Sequence, residues 1–322
     1  MRVPALLLLL LAVVLPGGAC AAGRHRPPAA DLGGYWSNTF LTELERPVGI
    51  ATLTLPDAEA TALEARRLAA FRNVQDGVGG RESETGFWEI GTGLARIGGQ
   101  ARTSWIVDPA DGHLPWSAAG KAARDREVAA RSGSADPETR NVSERCLISG
   151  FAAAGPPMLS SPYGTIYQIV QTRDAVAISI EANHDVRIVR LGAGGHGQAP
   201  AHLPASVRPW LGDSVGRWAG KTLVVETTNF NPGDALKTPI GLYISRDATV
   251  TERFTRLSPT ELLYNFTVDD PASFTRVWRA QMLFRASKGP AYEYACHEGN
   301  YALPGILAGA RREEADARAA GR

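Results

Sequence analysis

Beyond Arg145, apolar and polar residues alternate with a period of two in one segment after another. TIYQIVQT (165–172), AVAISIEA (175–182), VRIVRL (186–191) and KTLVVETTNF (221–230) carry the pattern, as do ATVTERFTR (248–256), ELLYNFTVDD (261–270), FTRVWRAQMLF (274–284) and AYEYACHE (291–298). Most are set apart by turn chemistry such as Thr-Arg-Asp, Ala-Gly-Gly, Ser-Pro-Thr, Asp-Asp-Pro and Lys-Gly-Pro. The spacing predicts eight strands with few intervening helices, hence an antiparallel sheet. An open sheet of that size leaves unpaired edges. Closure as a calycin- or lipocalin-like β-barrel, or folding as a sandwich, removes them.

Helical composition is confined to the flanks. Asp57 stands as N-cap before AEATALEARRLAAFR (58–72), SAAGKAARDREVAARSG (117–133) reads as a second helix, and GILAGARREEADARAAG (305–321) as a third. Residues 72–104 are rich in glycine and aromatics and read as short strands and loops. The expected organisation is a linker over 22–32 and one globular domain over 33–312. That domain has a helix-containing part (33–145) and a β part (146–303), and residues 304–322 form a C-terminal helix or tail.

Strand parity nominates inward polar groups. Val250, Glu252 and Phe254 share one face; Phe274, Arg276, Trp278, Ala280, Met282 and Phe284 share another. A buried charge needs a partner or a ligand. Glu252 and Arg276 are therefore expected inside the barrel, as an ion pair or as the polar base of a pocket.

Composition narrows the compartment and the partners. The chain has 322 residues, a net charge of +1, 21% charged residues and three cysteines. That balance offers no footprint for nucleic acid or an anionic membrane surface. The opening MRVPALLLLLLAVVLPGGACAAG has the charged, apolar and small-residue zones of a secretory signal (1–21) and is too short in its apolar run to span a membrane. It ends either by cleavage after Ala21 or at a lipobox that leaves Cys20 lipidated. An oxidising compartment then favours a disulfide between Cys146 and Cys296, with a buried thiol, a nucleophile or a metal ligand as alternatives for Cys296.

Other candidate chemistry is sparser. In EANHDVRI (181–188), His184 is a candidate acid/base, but Asp185 lies on the opposite strand face and orients it poorly. His297 and Glu298 extend the set. His25, His196 and His202 read as solvated loop residues. No His-x-His, His-Glu-x-x-His, Gly-x-Ser-x-Gly or phosphate-cradling glycine loop is present, so neither a metal nor a cofactor is expected. Trp210 and Trp218 flank a glycine-rich connection carrying Asp213 and Arg217; with Trp278, Arg253, Glu298 and Asn300 they are candidate ligand contacts, the two tryptophans alternatively sealing the barrel end.

ERC (144–146), HDVRI (184–188), RPWLGDSVGRWAGKTLVVETTNF (208–230), ERFTR (252–256), VDDPASFTRVW and YEYACHEGN (292–300) together resemble a large family of exported bacterial proteins. The likeness runs from about Gly33 to about Arg312. It implies export and a single domain, not a chemistry; its motif positions match Glu252, Arg253, His184, His297 and Glu298.

Two functions follow as expectations. One is a cofactor-independent hydrolase, isomerase or lyase for a mostly apolar organic substrate, with Glu252 or His184 as acid/base and Arg276 or Arg253 steadying negative charge. The other is a lipocalin-like carrier of an apolar ligand at the cell envelope: periplasmic, extracellular or lipid-anchored.

Overall fold

The computed structural model describes residues 31–77, 91–131, 133–161, 164–195, 197–238 and 240–321. The expected leader with Cys20, most of the expected linker with His25, and His196 lie outside the described residues. In chain order the strands are β1 (Gly34–Ser37), β2 (Thr54–Leu55), β3 (Arg96–Ile97), β4 (Gln100–Arg102), β5 (Ile106–Asp108), β6 (Ile166–Gln171), β7 (Ala175–Ile180) and β8 (Val186–Leu191). There follow β9 (Asp213–Ala219), β10 (Thr222–Thr228), β11 (Leu236–Lys237), β12 (Leu242–Tyr243), β13 (Thr249–Ser258), β14 (Glu261–Asp269) and β15 (Trp278–Ala286). The helices are α1 (Asp57–Gly77), α2 (Ala118–Ala130) and α3 (Ala302–Ala319).

Nine strands close into a barrel in the order β1-β6-β7-β8-β9-β10-β13-β14-β15, with Trp36 of β1 opposite Ala286 of β15 at the seam. The barrel is mixed rather than wholly antiparallel: β8 and β9 run parallel, Val189 opposite Ser214. A two-residue hairpin joins only antiparallel strands, and the long 192–212 connection instead returns the chain to the end where β8 began. On the free edge of β15, β5 takes Arg279 and Ala280 while β1 takes Arg285 and Ala286.

Two strand expectations need correction. AYEYACHE forms no strand. Both edges of β15 are already paired, and the last bond along the seam is Ser287 N–H to the Tyr35 carbonyl, 2.8 Å. Conversely, the presumed connection DSVGRWA is strand β9. Gly216 is required there, because a Cβ would meet the Val189 side chain at 2.7 Å.

Parity holds where the strand is real. Val250, Glu252 and Phe254 are buried, with Leu262, Tyr264, Phe266 and Val268 of β14 and Trp278, Ala280, Met282 and Phe284 of β15. Each fully buried apolar side chain of this size contributes about 1.5–3 kcal/mol. Arg276 breaks the expectation. It sits in a bend before β15, where period two no longer applies, and its exposed guanidinium donates to Asp108 Oδ1 at 2.7 Å.

The flanks anchor on the barrel. α1 begins at Asp57 itself, whose carboxylate accepts from Arg96 at 2.6 Å instead of capping the helix from outside. α2 is capped by Ser117, whose hydroxyl accepts from Gly120 N–H at 2.9 Å. Cys146 and Cys296 form a disulfide with 5.7 Å between Cα atoms, tying the segment after β15 to the 143–146 turn. Among the described residues no helix is long and apolar enough to cross a membrane.

Candidate functional site

Inside the barrel, Glu252 meets Arg187, not Arg276. Arg187 shares the inner face of β8 with Val189 and Leu191 and reaches across the interior, past β9 and β10, to β13. The pair is bidentate: Nη2 donates to Oε1 at 2.9 Å and Nη1 to Oε2. The Tyr264 hydroxyl donates to the same Oε1 at 2.8 Å and accepts from Met158 N–H at 3.0 Å. Tyr167 donates to the Ala153 carbonyl at 2.9 Å, and the Asn38 amide donates to Tyr167 and to the Met158 carbonyl, both at 3.3 Å. Glu252 and Arg187 are 0% and 3% exposed.

Burial alone would lower the Arg187 pKa, but the Glu252 carboxylate outweighs it and holds the guanidinium above its ordinary value. Burial pushes both phenols up. Both carboxylate oxygens of Glu252 are occupied and neither meets solvent. Chemically the cluster is a neutral, hydrogen-bonded strut.

The remaining nominated residues do not converge on it. His184 is exposed in the β7–β8 turn with φ 43°, and His297 and Glu298 are exposed just past Cys296. Arg253 points outward from β13, where it lines a shallow groove with Thr251, Asn265 and Arg279. Trp218 and Trp278 are core residues; Trp210 is half-buried against Leu211 and Ile148. Asn300 donates to the Glu144 carbonyl at 2.9 Å and so braces the disulfide-linked segments. His202 is not a free loop residue: Nδ1 lies 2.8 Å from Asp213 Oδ2 and Nε2 3.2 Å from Glu226. Asp213 also accepts from Arg190 at 2.9 Å and from Leu203 N–H. Burial alone would raise its pKa, but these bonds together hold it below the usual carboxylate value.

An apolar concave site lies at one rim. The chain leaves β1 there along Thr39–Leu44, enters β5 after Trp105 and approaches β6 along Leu159–Ser161, while α1 closes the outer side. Between these segments is a cleft of about 450 Å³ walled by Phe40, Leu41, Leu44, Phe71, Leu159 and Ile240. Trp105 packs edge-on against Phe40 with 5.8 Å between ring centres. At the mouth Arg67 donates to Glu43 at 2.8 Å and to the Leu41 carbonyl. No family model, curated protein or solved structure matches this chain.

The rim cleft was missed in the sequence because its walls are not strands. FLTEL (40–44) puts Phe40 and Leu44 on one side and Leu41 on the other, and that double-sided apolarity was the available signal. A further polar cluster, also unforeseen, joins Asp185, Asp234, Lys237 and Ser149. Lys237 donates to Asp234 with both buried, and Asp185 Oδ2 accepts from Ser149 N–H at 2.7 Å. Burial, reinforced by the charge of Asp234, raises the Asp185 pKa to about 6. Among the described residues no group of three or more histidines, cysteines or acidic residues is placed to hold a metal ion.

Proposed function

We propose that this is an exported β-barrel protein that binds a small, mostly apolar molecule non-catalytically, in the cleft beside the β1–β5 rim. The rim cleft carries the reading. Its volume lies within the range of small-molecule sites, and apolar and aromatic side chains dominate its walls. The Cys146–Cys296 disulfide supports export, because such bonds persist in oxidising compartments. The leader sequence supports it too, with or without a lipid on Cys20. Against the hydrolase, isomerase or lyase alternative stands the closed state of Glu252, which has no free oxygen for proton transfer, and the scatter of His184, His297 and Arg276 over the surface.

The test is titration with N-phenyl-1-naphthylamine, a neutral probe that brightens in apolar surroundings. Wild-type protein is expected to enhance its emission saturably. Ala70 lines the cleft from the exposed side of α1. Ala70→Trp fills the cleft without entering the core and is expected to weaken binding by about tenfold or more. Equal binding by that folded variant removes the site from the cleft.

A further inference from the structure

We infer, resting on the reading of the rim cleft as a ligand site, that its ligand is uncharged and carries one hydrogen-bond acceptor on an apolar frame, as a ketone, ester or lactone does. The polar atoms around the cleft fall into two sets. In the first, every hydroxyl is already committed. Thr39 shares bonds with Ser37 at 2.7 Å and Thr165 at 2.8 Å. Thr42 donates to the Arg102 carbonyl at 3.1 Å and accepts from Ala95 N–H at 2.9 Å, and Ser160 donates to the Asn38 carbonyl at 2.8 Å.

The second set is the Trp105 indole N–H and the Ser161 hydroxyl. Both residues line the cleft, they are 1% and 6% exposed, and neither polar atom has a hydrogen-bond partner among the described residues. Buried polar groups are paired in the great majority of cases, so two orphans against one apolar cleft mark where a guest's polar atom belongs. An indole nitrogen donates only, and a hydroxyl can donate. An acceptor matches the chemistry of either atom, whereas a ligand with only a donor leaves the indole without a bond.

Charge decides the rest. Among the described residues that line the cleft Arg67 is the one cation; Glu43 balances its charge and the Leu41 carbonyl takes a further hydrogen bond, while Arg285 is stacked on the Phe40 ring at 4.8 Å. A carboxylate guest would have to displace Glu43 or set two anions against one guanidinium. Burial also holds the Arg67 pKa below its ordinary value, which reflects how little water its side chain meets.

The experiment displaces bound N-phenyl-1-naphthylamine with three naphthalenes of nearly one shape: 2-acetylnaphthalene, 2-isopropenylnaphthalene and 2-naphthoate. The ketone is expected to act at about tenfold lower concentration than the hydrocarbon, with naphthoate weakest. Ser161→Ala is expected to shrink the ketone's advantage to about threefold while leaving the hydrocarbon unchanged. Trp105→Phe, with its fold checked by circular dichroism, is expected to shrink the ketone's advantage over the hydrocarbon likewise. Equal displacement by ketone and hydrocarbon, strongest displacement by naphthoate, or an undiminished preference in both variants overturns the ligand class while leaving the cleft as a binding site. Absence of any probe binding to wild-type protein removes the binding site and the ligand class together.

Discussion

Removing one side of the Arg187–Glu252 pair strands the other charge in an interior closed to bulk solvent. Arg187→Met is expected to cost about 3–5 kcal/mol in urea unfolding, whereas Arg187→Met with Glu252→Leu recovers most of it. A double variant no more stable than the single one would show that the pair itself, not relief of an isolated charge, holds the barrel. Asp185 supplies the pH response. Its pKa rises from 3.8 to about 6 on folding, so the folded state holds the proton longer than the unfolded one. Stability from this group is therefore fully present below pH 4, is lost between pH 4 and pH 6, and stays flat above. Asp185→Asn is expected to be more stabilising relative to wild type at pH 7 than at pH 4, measured by thermal melts at both. At this scale the sequence was half legible. Parity identified Glu252 because β13 is regular there, but Arg187 hid in VRIVRL. Val186 and Ile188, each 51% exposed, face solvent while the arginine faces in; each face of the segment carries two apolar residues and one arginine, so hydrophobicity alone did not say which face turns inward.

At the scale of elements, α2 and the disulfide show local preference giving way to packing. Glycine inside a helix ordinarily costs about 1 kcal/mol relative to alanine, so Gly120→Ala would stabilise an isolated α2. In the protein the added Cβ would lie 2.0 Å from the Ser273 carbonyl oxygen. The sign therefore reverses, and a loss of about 1–3 kcal/mol is expected in chemical denaturation. The disulfide closes a separation of 150 residues. Cys146→Ser with Cys296→Ser is expected to cost about 4–5 kcal/mol on the chain-entropy account, with proteolysis appearing first between Ser287 and Asn300. Uncut protein of unchanged stability would refute that. The pairing was readable from compartment and count, and β6, β7, β8, β10, β13 and β14 from alternation. AYEYACHE alternates equally well yet forms no strand, since alternation describes a segment's two faces and says nothing about whether a sheet edge is free to receive it.

For the whole molecule, a guest in the rim cleft joins segments that the chain keeps far apart: Phe40, Ala70, Trp105 and Ser161. Binding that favours only the assembled form stabilises it by about 2.7 kcal/mol at a ligand concentration of 100 Kd. N-phenyl-1-naphthylamine at that excess is expected to raise the melting temperature of wild type by about 5 °C and that of Ala70→Trp hardly at all. Equal shifts would place binding elsewhere. The barrel was foreseeable from the number of strands; its parallel step and its rim were not, because connections such as 192–212 and 38–44 carry no periodicity to read.

The seam between Trp36 and Ala286 has a temporal side. One margin of β1 is waiting for a partner that the ribosome makes about 250 residues later, a delay of roughly 12–50 seconds at ordinary elongation speeds. Until β15 emerges, the cylinder cannot shut, and any early sheet stays open along that line. Such a chain is slow to commit itself, and a translocation channel that accepts only unfolded polypeptide would find it still threadable.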